Sequence, residues 1–423
     1  MNKKLVIIGA GPAGLAATIG AINGGISPDD VLILERESEL GGVLNQCVHD
    51  GFGEHNLGQS LTGTEYAEHY IKQVEALGVP YLTDSTVLSI SSDKEITFVS
   101  SSLGYTSVKA EAIILAMGCR ELSHGSLRIA GTRPAGIFSA GTVQRFINIE
   151  GQLPGKRVVL FGSGDIGLVA ARRLTIEGAQ VLSAYERKPY ATGSQRNIKE
   201  CLTDFGIPFY TGKTVSKIIG KERVEGVVIS SVDKDLQIIK GTEELVKCDT
   251  LVLSLGLVPD ITIGSDAGIE VDRESCGPVV NQYFETSKDG VFACGNALHI
   301  HDLVDYITIE ATTTGRHAAA YLLNKIPATK KELSLSHNSE IKYTVPHKFV
   351  FPMSGRVRSN VLYYRASRAM KNAKIELKAD GKAIYCILKS RLTPSQMHFI
   401  PLDSDLLYQL ENAESICLEA MEV

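Results

Sequence analysis

Paired cysteines are missing from this chain. Its 423 residues include eight, at positions 47, 119, 201, 248, 276, 294, 386 and 417, never closer together than 18 residues. That spacing excludes CxxC redox pairs, cysteine-ligated zinc sites and iron–sulfur ligation within the sequence, and reads as reduced thiols, many buried as small hydrophobes. An excess of positive charge is missing too. With 43 basic and 48 acidic residues the formal charge is −5, so there is no basic field for a phosphate backbone and nucleic acid is not expected as a partner. No stretch reaches the roughly 18 consecutive apolar residues of a membrane span. Low-complexity tracts and heptads are absent. Met1 to Lys4 before the apolar run Leu5 to Ile22 imitates a secretory leader, yet Gly9, Gly11, Pro12 and Gly14 punctuate that run and its apolar strand is only Leu5 to Ile8. A cytoplasmic protein is expected. At 44% apolar and 22% charged, the chain fits a globular protein of roughly two or three domains.

What is present is an internal repeat. LVIIGAGPAGL at 5–15 returns as VVLFGSGDIGL at 158–168, glycine on glycine. Each copy runs from an apolar strand through a glycine turn into a helical pattern, Ala13 to Asn23 and then Ile166 to Glu177. A second apolar run follows each time, ending in Glu35 and in Glu186. This is the β-α-β order of a dinucleotide-binding unit, twice.

Glycine chemistry explains the spacing. In Gly9-Ala10-Gly11-Pro12-Ala13-Gly14 the first glycine permits the tight turn, the second admits a pyrophosphate to the backbone, and the third lets helix and strand pack closely. The helix N-terminus then offers N–H groups and a partial positive charge to the phosphates. Glu35 stands where a carboxylate reaches ribose hydroxyls. Gly162-Ser163-Gly164-Asp165-Ile166-Gly167 repeats the arrangement, and Glu186 there would bind a 2′-hydroxyl and repel a 2′-phosphate. NAD is favoured over NADP, with Arg187 and Lys188 keeping NADP open.

Beyond residue 330 the texture changes. A Lys/Ser-rich linker, Thr329 to Ser339, leads into short alternating runs joined by turns, with Asp380-Gly381 as a hairpin turn. Residues 335–423 read as a small β-rich domain with its own core.

Three further segments sharpen the picture: the strand from Glu111 to Gly118 ending Ala-x-Gly, the segment Thr286 to Asn296 ending Gly-Asn, and Gly41-Gly42 six residues after the first acid. Together with the two glycine motifs they make residues 1–325 resemble the pyridine nucleotide-disulfide oxidoreductase superfamily of two-dinucleotide-binding-domain flavoproteins. The resemblance implies an α/β fold of two nested Rossmann-like domains. FAD would be held by 1–121 with 268–330, NAD(P) by the inserted 122–267, and the β-rich domain would follow. It implies FAD on Gly9 to Gly14, on Glu35 with Arg36, on Gly42-Val43, near Thr86-Val87 for the adenine, on Ala116 and Gly118, and near Gly295-Asn296, where the superfamily usually has Asp in place of Asn296. It implies NAD(H), less readily NADP(H), on Gly162 to Gly167, Glu186 and Gly256. Leu168 stands where many relatives carry Glu.

The disulfide reductases of that superfamily use a cysteine pair after the Gly-Gly segment. Here Gly42 to His49 offers Cys47 alone, so the dithiol mechanism is not available in its ordinary form. Among superfamily members, the chain is most similar to single-cysteine flavoprotein subunits that accompany a glycerol-3-phosphate dehydrogenase-like subunit, on GVLNQCVHDGF at 42–52, Leu61 to Tyr66, Ala116 to Glu121, Cys201 to Phe205 and His301 to Tyr306. The resemblance implies an FAD-dependent NAD(P)H oxidoreductase that exchanges electrons with a second redox subunit, either a dehydrogenase-like flavoprotein or an iron–sulfur or cysteine-containing protein, in a homo- or hetero-oligomer. Cys47 is the candidate catalytic thiol, with a structural or merely adjacent role preferred. His299, His301 and Asp302 imitate a metal motif, but packing near the flavin is preferred and no metal is expected. Three rival readings are a self-sufficient NADH oxidase or thiol/disulfide reductase using Cys47, a dehydrogenase acting directly on a small amine or alcohol, and a non-catalytic FAD-holding scaffold.

Overall fold

The apolar runs that open each repeat become the central strands of two parallel sheets. In the computed structural model, which describes residues 1–352 and 360–423, the chain divides into two units. One comprises Met1–Leu44, Asp50–Cys119 and Val258–Val423, the other Asn45–His49 and Arg120–Leu257.

In the first unit, strand Asn2–Ile8 lies between Val31–Leu34 and Gly104–Leu115, parallel to both. Leu5, Val6 and Ile7 are fully buried, as expected for a strand covered on both faces. Strand Gly104–Leu115 is long enough to serve two partners: its first half closes an antiparallel meander with Glu95–Ser100 and Ser85–Ile90, and its last turn takes Val291–Ala293 in parallel. Helix Pro12–Asn23 packs on helix Val304–Leu322 through small residues. A Cβ at Gly20 would run into the carbonyl of Thr312, and one at Gly315 into that of Ala17. Backbone-to-backbone approach of this kind is why both helices read as Ala, Gly and Thr.

The C-terminal strands belong to this unit. Lys348–Phe351, Lys331–His337, Ile416–Glu422, Met370–Ala379 and Lys382–Leu392 form one sheet, and Ile341–Val345, Asn360–Ala366 and Met397–Leu402 another. They enclose an apolar cluster that includes Phe349, Leu362, Ile375, Leu392 and Leu418. Tyr343, Val345 and Tyr363, by contrast, pack in one cluster with Val6, Ile8 and Ile113 of the parallel sheet. Asp380 and Gly381 turn at φ 49° and 75°, the left-handed pair that a two-residue hairpin demands. The stretch read as linker from Thr329 is partly strand: Lys331–His337 pairs with Lys348–Phe351 and Ile416–Glu422. Its Lys and Ser composition hid it, because alternation there places only Leu335 in the core.

In the second unit, five parallel strands run in the order Phe209–Thr211, Gln180–Glu186, Arg157–Phe161, Thr250–Leu253, Ile137–Ser139. Helices Ala140–Asn148 and Asp165–Ile176 bury their apolar faces on this sheet. A smaller sheet, Glu244–Val246, Val224–Ser231, Lys213–Gly220 and Ala130–Gly131, packs with the sheet's other side.

Candidate functional site: two glycine-rich loops

Each loop is shaped by carbonyl oxygens that leave no room for a side chain. In the first, Gly9 has φ +100°, and a Cβ there would stand 2.5 Å from the carbonyl oxygen of Ala116; one at Gly14 would run into the carbonyl of Gly9. Helix Pro12–Asn23 starts at Gly11 with proline in its first turn and no side chain capping it, so its leading N–H groups face outward as donors for an anion. A Cβ at Gly42 would lie 2.8 Å from the Cα of Gly11, and one at Gly295 2.7 Å from the Cβ of Ala13. Gly11, Gly42 and Gly295, scattered in sequence, therefore line one backbone-walled cradle, which fits a diphosphate.

The acid of this unit sits where the spacing put it. Glu35 is buried, and its carboxylate accepts from the N–H of Ala10 at 2.6 Å and from that of Glu37 at 2.9 Å. Ala116 continues the strand order by donating its N–H to the carbonyl of Ile8. Gly118 accepts from the N–H of Asp260. Asn296 uses both ends of its amide: Oδ1 accepts from the N–H of His301 at 2.9 Å, and Nδ2 lies 3.7 Å from Sγ of Cys119. Arg36 is solvent-exposed beside Glu37, and Val43 is exposed. The Val87 side chain packs in the core, on a strand paired with Glu95–Ser100.

The second loop repeats the geometry on a different floor. A Cβ at Gly162, φ +97°, would run into the carbonyl of Ser254, and one at Gly167 into the Ser254 side chain. Glu186 is buried and accepts from the N–H of Ser163 at 3.1 Å, from its hydroxyl at 2.7 Å and from the N–H of Lys188 at 3.0 Å. A third segment closes over this loop. Thr192 donates its N–H to Oγ of Ser163 and Gly193 to its carbonyl, while Ser194 and Asn197 donate to the carboxylate of Asp165. Gly256 accepts from the N–H of Leu122, Ile166 is half-buried and Leu168 is buried in the core. Arg187 turns its guanidinium to the carbonyl of Leu236 at 2.6 Å.

Cys47 follows the short helical turn Gly42–Gln46 and is a buried thiol; burial pushes its pKa up to about 12. At neutral pH it is protonated, the opposite of an activated nucleophile. His299 and His301 come together with Glu310 and not with Asp302. Asp302 instead binds Arg365 at 2.9 Å and accepts the N–H of Met397. Glu310 feels opposing effects: burial raises its pKa, but His301 and His299 hold it below the ordinary carboxylate range. Its Oε1 accepts the N–H of Gly295 at 2.7 Å. Glu310, Ser254 and the Thr192–Ser194 segment carry no motif, and Asp305 lies within the stretch His301 to Tyr306 without having been singled out. Asp305 gathers the N–H groups of Gly53, His55 and Asn56 on its carboxylate. Ser254 alone had a sequence signal, the match of Leu253-Ser254-Leu255-Gly256 to Leu115-Ala116-Met117-Gly118.

Two glycine cradles, each with an acid at the end of the following strand, define the class: an α/β protein built to hold two dinucleotides. Residues 3–319 match the family described as pyridine nucleotide-disulphide oxidoreductase, and the chain belongs to it. It is similar to the glutamate synthase [NADPH] small chain of Halomonas elongata, at 26% identity over 76% of this chain and 68% of that one. Ferredoxin–NADP reductase 2 of Bacillus licheniformis is 24% identical over 75% of this chain and 92% of its own length. Among solved structures, thioredoxin reductase of T. acidophilum shares the fold with a TM-score of 0.61, covering 76% of this chain and 98% of that one at 23% identity. The chain is thus an FAD-dependent oxidoreductase of a family that works with NAD(P)H.

Proposed function

We propose that this chain is the flavoprotein subunit of a redox assembly, holding FAD on the first loop and NAD(H) on the second, passing hydride between them and exchanging electrons with a second redox protein. The doubled cradle carries the reading: in each loop the first glycine lies on a carbonyl that admits no side chain, and each acid is held on the loop itself. Residues 1–121 with 268–330 form the flavin module, 122–267 the nicotinamide module and 335–423 the partner-facing module. FAD, when bound, accepts a hydride and releases electrons singly or in pairs. The chain's own residues bind and orient. Gly11, Ala13 and Gly14 present N–H groups to the diphosphate between Gly42 and Gly295, and Glu35 takes the ribose. Gly162 to Gly167 does the same for the second dinucleotide.

NAD(H) is favoured over NADP(H) for a structural reason. Glu186 lies on Ser163 where a 2′-phosphate would have to sit, and Arg187, the guanidinium next to it, is committed to Leu236. Lys188, the other cation beside it, lies over the ring of Tyr190, so repulsion by the buried carboxylate prevails. The relatives named for NADPH or NADP mark this as a departure. Partnership is supported by the name of the glutamate synthase small chain, one chain of a larger enzyme, and by the absence of any cysteine pair to relay electrons onward. Eight cysteines standing as thiols suit a reducing cytoplasm.

The test is cofactor content followed by electron transfer to an artificial dye. The expected result is one FAD per purified chain and dye reduction driven by NADH well ahead of NADPH. A chain that takes up no FAD, or one that reduces dye only with NADPH, contradicts the proposal.

A further inference from the structure

Behind the turn Gly295–Ala297 lies a polar cluster that neither glycine loop uses. His299 and Glu310 are fully buried, and the His301 side chain is 1% exposed. Oε2 of Glu310 lies 2.7 Å from Nε2 of His299 and 3.2 Å from Nε2 of His301. One ligand atom from each of the three falls within 4.8 Å of the others. The Gly295 N–H fixes the other carboxylate oxygen, which leaves Oε2 turned to the two rings.

The cluster is short of partners. Among the described residues nothing hydrogen-bonds either ring nitrogen of His301 or Nδ1 of His299, although all three atoms are buried. Its walls offer no remedy, being the rings of Tyr343 and Tyr363 packed against the imidazoles. A buried imidazole without a partner has lost its water and gained nothing in return. A cation on the two Nε2 atoms gives His301 the partner it lacks and leaves each Nδ1 as the N–H of a neutral ring.

We propose that His299, His301 and Glu310 form a binding site for one divalent first-row transition ion of the zinc class. Two neutral imidazoles and a carboxylate are a recurrent ligand set for such ions, and a carboxylate oriented by a backbone N–H is the usual outer support. Ligand bonds of about 2.1 Å at tetrahedral angles need ligand atoms about 3.4 Å apart. The His301 pair, at 3.2 Å, is close to that separation; the His299 pair opens from 2.7 Å as the ion replaces the hydrogen bond between them and the ring proton moves to Nδ1. The bound ion ties the segment 299–301 to helix Val304–Leu322 and, through Glu310, to Gly295. Three protein ligands leave a fourth tetrahedral position for a water, and the burial of all three side chains makes the role structural. Asp302 is not a ligand, since Arg365 and Met397 occupy it.

The experiment uses the full chain, dialysed against chelator and then equilibrated with micromolar Zn2+, with bound metal counted by elemental analysis after gel filtration. One Zn2+ per chain is expected, with a rise in the thermal midpoint. His301→Ala and Glu310→Gln should each weaken binding by roughly 100-fold, and exposed His69→Ala should change nothing. Because no hydrogen bond to the His301 ring is found among the described residues, His301→Ala is the variant expected to keep its fold, checked by circular dichroism. Well under one Zn2+ per wild-type chain overturns the proposal. So does unchanged binding in both variants, which would place the ion on scattered thiols. Neither result touches FAD content, so this proposal and the flavin reading fail separately.

Discussion

The two glycine loops reach one backbone shape by different means. The first is a cradle of backbone alone: Gly14 presses on the carbonyl of Gly9, Ala116 lies beneath, and Glu35 is held by the N–H of Ala10. The second uses side chains for the same tasks. Ser254 lies beneath both Gly162 and Gly167, and the Ser163 hydroxyl joins Glu186 to the segment at Thr192. A loop made of backbone has no side chain to rearrange and suits a resident cofactor. A loop tied through hydroxyls can reorganise them as a ligand comes and goes, which suits a dinucleotide that must leave after each turnover.

The largest expected effect separates the loops directly. Gly14→Ala drives a Cβ into a carbonyl of its own turn, and the purified protein should contain no FAD. Gly167→Ala meets side chains, those of Ser254 and Leu160, and should retain FAD while losing reduction by NADH. Equal FAD loss in both variants, measured by absorbance, would erase the distinction.

Acid should weaken the first unit next. His317, fully buried in helix Val304–Leu322 with Nδ1 on the carbonyl of Tyr283, is lowered to about 4, chiefly by burial. Its folded pKa lies below the unfolded value near 6.5, so its contribution is complete above that value and is lost as pH falls toward 4. At pH 5 the loss is about 2 kcal/mol. His347 and His398, also of the first unit, are lowered to about 4 by burial and add to it. Chemical denaturation at pH 7 and pH 5 reads this as a lower midpoint, and His317→Gln should flatten the dependence.

Glu186→Ala comes third. It removes the ribose contact and frees the Ser163 hydroxyl, so KM for NADH should rise roughly tenfold with kcat little changed and the NADPH discrimination narrowed. An unchanged KM ratio between the two nucleotides would remove Glu186 from the selectivity account. The smallest effect belongs to Cys47→Ser. A thiol buried at a pKa of about 12 carries no electrons at neutral pH, and dye reduction by NADH should stay within about twofold of wild type. Abolished turnover would restore the thiol/disulfide reductase reading.

Both loops and both acids were legible because their constraints are local: glycine spacing, an apolar strand before and an acid a fixed distance after. The helices begin one residue earlier than their apolar pattern, at Pro12 and Asp165, since the first turn is set by the glycine turn and not by burial. Helix Val304–Leu322 likewise buries Asp305 in its first turn, where it holds the 53–56 loop. What stayed hidden depends on chain segments meeting from far apart. Ser254 reaches a loop some 90 residues earlier, and Glu310 meets two histidines only because the chain doubles back after Gly295. His-x-His suggested Asp302 as the third member by proximity in sequence; Arg365, from a strand 63 residues away, claims it instead.

The most direct test of the central claim is an anaerobic titration of the purified chain with NADH and then NADPH, following the flavin absorbance band. The account predicts bleaching by about one equivalent of NADH and far less response to NADPH. A flavin that stays oxidised with either nucleotide, in a chain shown to bind NADH, would contradict it.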